Sequence, residues 1–238
     1  MRIAIIAALP GELRPLVRGW KKQNPGTRGL SLWKTEQNGD ELIAVCGGMG
    51  SAAATRSFTA AEFFGPLDLV FSIGWAGALD SVMQAGECYI PSEIIDSQTG
   101  ERYSLTDEKS ALRLITTPTV ADAQEKHRLR QSYGATLVDM EAATIARLAR
   151  MREIPICCFK GVSDGVDADL PDLSPFIDQH GQMRMPAFLA HVATRPHYWS
   201  PLARLGRNSS IAAQAIATKI EKFLIEKNVE RANQTGAV

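Results

Sequence analysis

What most constrains this chain is a recurring pattern in which an apolar run empties into a turn that carries an acid. Residues 3–8 (IAIIAA) contain no polar position, so the strand they form must be covered on both faces, as central strands of a parallel sheet are. Pro10 then suits a first helical position, and Leu13, Leu16 and Val17 form a short apolar stripe, which puts Glu12 at the strand-to-helix turn. The pattern recurs at 137–149 (LVDMEAATIARLA). There a short strand ends at Asp139, a helix carries Ile145, Leu148 and Ala149 on one face, and Glu141 sits at the corner between them. A third run, 154–162 (IPICCFKGV), carries Lys160 near its end and delivers Ser163 and Asp164. In an open α/β sheet such corners lie at the carboxyl ends of strands, where ligands bind. Each acid taken singly also has a plainer reading. Glu12 and Glu141 fit as first-turn carboxylates, worth roughly 0.3–1 kcal/mol against the helix dipole, and Asp164 fits as part of a Ser-Asp turn.

The remaining segments fill in the same α/β alternation. Residues 25–39 read as polar and turn-rich around 30–33, and 42–46 as a strand ending in Gly47, Gly48 and Gly50, which let backbone come close to something. Ser51 is a plausible cap for a helix with Ala52, Ala53, Ala54, Ala60 and Phe63. The strand at 67–73 runs into SIGWAGAL, where Gly74, Ala76 and Gly77 are expected to form a loop lined with backbone amides, able to hold an anion or a sugar hydroxyl. As a bare pattern such a segment is more often simply a tight turn. Residues 86–95 read as a strand with Pro91 at its end or edge, 97–110 as an exposed loop, 112–117 as a strand, and 121–133 as a surface helix with Leu129 on one face, stopped by Gly134. From 165 to 201 the chain is irregular and Pro-rich. An amphipathic helix at 209–224 closes it, with a disordered tail at 227–238. No repeat or break in composition divides the chain, so one domain over 1–226 is expected.

Lys plus Arg and Asp plus Glu both total 26, which leaves no basic excess for a nucleic-acid backbone. The apolar opening is too short for a signal peptide and no run reaches membrane-spanning length. Cys46, Cys88, Cys157 and Cys158 lack CxxC spacing, the adjacent pair pointing to opposite faces of a strand, so a reducing cytoplasm is expected. His127, His180, His191 and His197 give no metal template. Neither a metal nor a cofactor is expected.

If the acid-bearing edges converge with the glycine segment at 72–77, they surround a small polar ligand on an apolar floor. Cleavage of an N-glycosidic bond uses that inventory. The sugar gains positive charge at its anomeric carbon, the leaving base needs a proton, and the attacking water needs a proton acceptor.

MRIAIIAALPGEL resembles the opening of 5′-methylthioadenosine/S-adenosylhomocysteine nucleosidases, SIGWAGAL their glycine loop, VDMEA their ribose-binding motif and KGVSD their purine-binding strand end. The order and spread of these motifs, from Met1 to about Asp164, identify the chain as a member of the wider nucleoside phosphorylase superfamily. That resemblance implies a three-layer α/β/α sandwich with a mixed, mostly parallel central sheet, and homo-oligomers, with a dimer favoured. It implies a purine nucleoside as substrate. Glu12 is then the base that activates water. Met140 and Glu141, beside Asp139, hold the ribose, and Asp164 protonates the purine with Ser163 positioning it. Ser72, Gly74, Trp75, Ala76 and Gly77 line the site, the backbone at Val120 and Ala121 meets the base by rough position, and Lys160 stands where the nucleosidases have an arginine. The phosphorylases of the superfamily carry an arginine just before the glycine loop. Phe71 and Ser72 stand there, which favours water over phosphate, although Arg56 or Lys160 remain as other sources of charge. Phosphorolysis is therefore the first alternative, a catalytically silent nucleoside binder the second, and a plain oligomeric scaffold the last. The segment RPHYWSPLARLGRNSSIAAQAI resembles a hopanoid-associated branch whose substrate bears a bulky apolar 5′ group. Met183, Met185 and Phe188 suit such a group as well as they suit a core or a dimer interface.

Overall fold

The computed structural model describes residues 1–105, 110–168 and 171–235. Its centre is a mixed sheet. Strands β1 (Arg2–Ala7), β2 (Lys21–Gln23), β3 (Ser31–Gln37), β4 (Asp40–Cys46), β5 (Leu69–Ala78), β6 (Cys88–Tyr89), β7 (Glu93–Asp96), β8 (Arg102–Ser104), β9 (Arg113–Thr116), β10 (Leu137–Asp139) and β11 (Ile156–Asp164) run β2-β3-β4-β1-β5-β10-β9-β7-β8. β11 lies off this path, against β5 and β6. The ladders joining β4, β1, β5 and β11 are parallel, and the antiparallel ones are mostly towards the edges. β5 is the hub. β1 pairs with its first half, β11 follows it from Val70 to Gly77, and β10 joins it antiparallel at Gly77 and Ala78.

Helices cover both faces. On one, α2 (Ser51–Glu62) and α4 (Ala142–Met151) pack Ala54, Phe58, Ala61, Ala142, Ile145 and Ala149 on Ile6, Val45, Val70 and Cys158. On the other, α1 (Pro10–Leu13) and α6 (Trp199–Thr235) pack Leu13, Ile216, Ala217 and Ile220 on Ile5, Phe71, Cys157 and Phe159. Cys157 and Cys158 thus face opposite layers, as alternation in a strand requires. A smaller cluster of Ile95, Ile115 and Val138 lies with Leu129 of α3 (Ala123–Tyr133), whose N-cap is Asp122 and whose C-cap Gly134 is left-handed (φ 63°). The chain is a three-layer α/β/α sandwich, as the motifs imply.

Several local expectations are corrected. SIGWAGAL is no loop. Residues 72–78 of it belong to β5, held as strand by pairing with β11 and β10, and its amides at Trp75 and beyond are reached along a strand. Residues 25–39 contain the whole of β3, paired with β4 across an Asn38-Gly39 turn in which both residues have positive φ (52° and 79°), the geometry of a tight hairpin. The strand at 86–95 is broken into β6 and β7 around Pro91, and 97–110 includes β8, residues 106–109 lying outside those described. Ser51 opens α2 one residue after its N-cap, Gly50. The segment 165–201 contains α5 (Met185–Ala193) and 3₁₀ turns at Ser174–Phe176 and Pro196–Tyr198. α6 begins ten residues before the expected start at 209 and continues through Thr235, so the expected tail is helical that far. Arg231 there pairs with Asp40 of β4, which gives the last turns a tertiary anchor.

Candidate active site

A cavity of about 250 Å³ opens at the carboxyl ends of β1, β5, β10 and β11. Glu12, Trp75, Ala76, Gly77, Val120, Ala121, Asp139, Met140, Glu141, Ser163 and Asp164, all expected from the sequence, line it. Ser72, Gly74 and Lys160 do not. Ser72 is wholly buried in the middle of β5, between partners Ile6 and Cys158, where no ligand reaches.

Glu12 is held by backbone. Its Oε2 accepts from the amides of Ala8 and Leu9, both at 2.8 Å, and its Oε1 from the amide of Trp75, at 2.8 Å. The reach back to Leu9 is the acidic half of a capping box. Pro10 and Gly11 ahead of Glu12 therefore leave a regular first turn, with Gly11 under the Trp75 ring. Gly74 serves this carboxylate from below. A Cβ at Gly74 would lie 2.8 Å from Glu12 Oε1, and its φ of +146° is one that few other residues adopt. Burial pushes the Glu12 pKa up, against the lowering effect of the Leu9 and Trp75 amides and of the Lys160 charge.

Glu141 ends β10's turn into α4, and its Oε1 accepts from the Gly50 amide at 2.6 Å. Burial first, and the neighbouring Asp139 charge second, raise its pKa to about 8. Near neutral pH this carboxyl therefore keeps a proton, and can donate to a hydroxyl as well as accept from one. Asp139 is committed elsewhere. It accepts from Thr116 Oγ1 (2.7 Å), the Ala142 amide (3.0 Å) and Lys160 Nζ (2.8 Å), with no exposed side-chain surface. Burial opposes the Lys160 charge, but Asp139, Cys158 and Glu141 outweigh it and raise the Lys160 pKa. The Lys160–Asp139 pair is thus the ionic floor under the cavity.

Asp164 sits where β11 bulges out of register with β5. Its Oδ1 accepts from Ser163 Oγ at 2.5 Å, and its Oδ2 from Lys126 Nζ of α3. Gly77 permits this crowding, because a Cβ there would lie 3.2 Å from Asp164 Oδ2 and 3.0 Å from Lys126 Cε. Lys126 was missed by the reading of α3 as a surface helix. The signal was present, since Lys126 lies one turn before Leu129 on the same buried face.

The glycines at 47–50 meet the segment 178–182. The Met49 amide donates to Gly181 O at 2.8 Å, and Gln182 Nε2 and Arg56 both donate to Gly47 O. Met49, Leu173, Met183 and Leu205 add apolar wall. Of the expected apolar patch only Met183 reaches the cavity, for Met185 is 48% exposed and Phe188 packs on Phe176.

The family model of the phosphorylase superfamily matches residues 2–124 and 115–194. The chain belongs to that superfamily. A 5′-methylthioadenosine/S-adenosylhomocysteine nucleosidase of Tolumonas auensis is 23% identical over 206 residues, covering 72% of this chain and 89% of that protein. Among solved structures, Arabidopsis thaliana 5′-methylthioadenosine nucleosidase superposes with a TM-score of 0.72 at 18% identity, over 94% of each chain. Futalosine hydrolase of Helicobacter pylori superposes with a TM-score of 0.71 at 14% identity, over 95% of this chain and 98% of that one. These superpositions carry the superfamily's fold. Among the described residues no helix is long and apolar enough to cross a membrane.

Proposed function

We propose that the protein cleaves the N-glycosidic bond of an adenine-type ribonucleoside with water, releasing free base and a ribose derivative. The observation that carries this is the meeting of Glu12, Glu141 and Asp164, from three separate strand ends, in one cavity. Glu141 and Met140 hold the ribose, the Glu141 carboxyl both donating to and accepting from its hydroxyls. Glu12, buried and fixed by three amides, takes a proton from the attacking water; its raised pKa makes it a stronger base than an ordinary carboxylate. Asp164, fixed by Ser163, passes a proton to the purine ring. The relative from Tolumonas and the Arabidopsis neighbour are both named as nucleosidases of methylthioadenosine, which supports the same substrate class. The apolar wall at Met49, Leu173, Met183 and Leu205 suits an apolar 5′ substituent.

Water is favoured over phosphate by charge. Lys126 is the one cation among the described residues lining the cavity, and Asp164 occupies it. Lys160 is tied to Asp139, while Arg56 donates to the carbonyls of Gly47 and His180. A dianion would enter among four carboxyl groups, with no guanidinium among the described residues lining the cavity to meet it. The same proposal includes a cytoplasmic homodimer without metal or cofactor, its mass checked by sedimentation.

Substitution tests the assignment. Asp164→Asn should bind substrate within a few-fold of wild type and lose two or more decades of turnover, since the polar shape stays and the proton path goes. Unchanged turnover would remove Asp164 from the chemistry.

A further inference from the structure

The pairing of Asp164 raises a question about the source of its proton. A carboxylate bound to an ammonium group has no proton of its own to give, and Asp164 is held between Ser163 Oγ and Lys126 Nζ. Lys126 is 2% exposed although it projects from the charged helix α3. Its ammonium donates to Asp164 Oδ2 and to Gly165 O (2.6 Å), and it borders the cavity. Three donors with two protein acceptors leave one N–H to spare. Burying a lysine in this way is costly unless its charge is used. Surface ion pairs nearby do not compete for it, for the adjacent His127 turns out to Asp167.

We propose that Lys126 is the proton reservoir of the site, and that Asp164 transmits its proton to the base. This rests on the glycosidase reading above. As the C–N bond breaks, its electron pair goes to the purine. Asp164 gives a proton to a purine ring nitrogen, and the Lys126 ammonium gives one to Asp164. The step ends with neutral base, an Asp164 carboxylate and a neutral Lys126 amine, which water reprotonates after the base has left. Water attacks the anomeric carbon and its proton passes to Glu12, which gives it up to solvent as Lys126 regains one, so charge and atoms balance. Lys126 acts through Asp164 and is therefore a positioning and supplying residue. A lysine suits this role where an arginine would not, because an ammonium releases its proton far more readily than a guanidinium.

The test compares two substrates in the full-length protein. Methylthioadenosine has a leaving group that needs a proton, whereas 4-nitrophenyl β-D-ribofuranoside releases a stable anion that needs none. Lys126→Gln should lower kcat for methylthioadenosine about a hundredfold or more, with KM within about threefold, and change kcat for the nitrophenyl riboside by less than about threefold. In an Asp164→Asn background the same substitution should cost less than about threefold on methylthioadenosine, because the path is already cut. Equal losses on both substrates, or losses that multiply in the double variant, would mean a structural lysine and overturn the reservoir alone. A wild-type protein that cleaves neither substrate would overturn the glycosidase reading and the reservoir with it.

Discussion

At the scale of single residues, the site is a set of acids told apart by what surrounds them. Glu141 is the clearest case. Its folded pKa of about 8 stands above the ordinary 4.5, so the unfolded chain releases this proton before the folded one does. The folded state therefore gains from Glu141 at low pH and loses that gain as pH climbs from about 4.5 to about 8. Thermal melts across this window should show Glu141→Gln less sensitive to rising pH than wild type, and parallel curves would refute the shift. Lys160 answers to the opposite logic. With 1% and 0% side-chain exposure, the Lys160–Asp139 pair has no solvent to fall back on. Lys160→Met, which leaves Asp139 charged and buried, should cost about 3–5 kcal/mol in urea unfolding. A loss below 1 kcal/mol would show that Thr116 and the Ala142 amide suffice for Asp139.

At the scale of elements, β5 does more than any other, and it separates two kinds of glycine. Gly74 clears a path for Glu12, whereas Gly161 of β11 lets α6 lie close, a Cβ there falling 2.8 Å from Ala212 Cβ. Gly74→Ala should therefore lower both turnover, by tenfold or more, and stability, by about 1–3 kcal/mol. Gly161→Ala should lower stability by about 1–3 kcal/mol and spare turnover per folded molecule. Turnover unaffected in Gly74→Ala would break the link between that glycine and Glu12. The apolar runs of β1, β4 and β11 were legible because burial on both faces leaves no polar alternation to confuse. SIGWAGAL was not, because glycines read as a loop locally and are strand only through the pairing of β10 and β11, which no local pattern records. Lys126 was hidden for a similar reason: a lysine on an apolar face looks like noise until Asp164 arrives from a strand 38 residues away.

At the scale of the whole molecule, the pairing of strands in one mixed sheet brings turns distant in sequence to one edge. Glu12, Glu141 and Asp164 owe their meeting to the placement of β1, β10 and β11 around β5. The three acids were legible individually as strand-end residues, and jointly through their motifs; that they share one cavity required the topology. The same arrangement leaves an acid-rich cavity whose one cation among the described lining residues, Lys126, is paired with Asp164, and this sets water above phosphate. The direct measurement is chromatography of the products of methylthioadenosine and adenosine incubated with purified protein, with and without phosphate. Free base and free sugar at the same rate in both buffers is the predicted result. Base released only with phosphate, together with a sugar 1-phosphate, would contradict it.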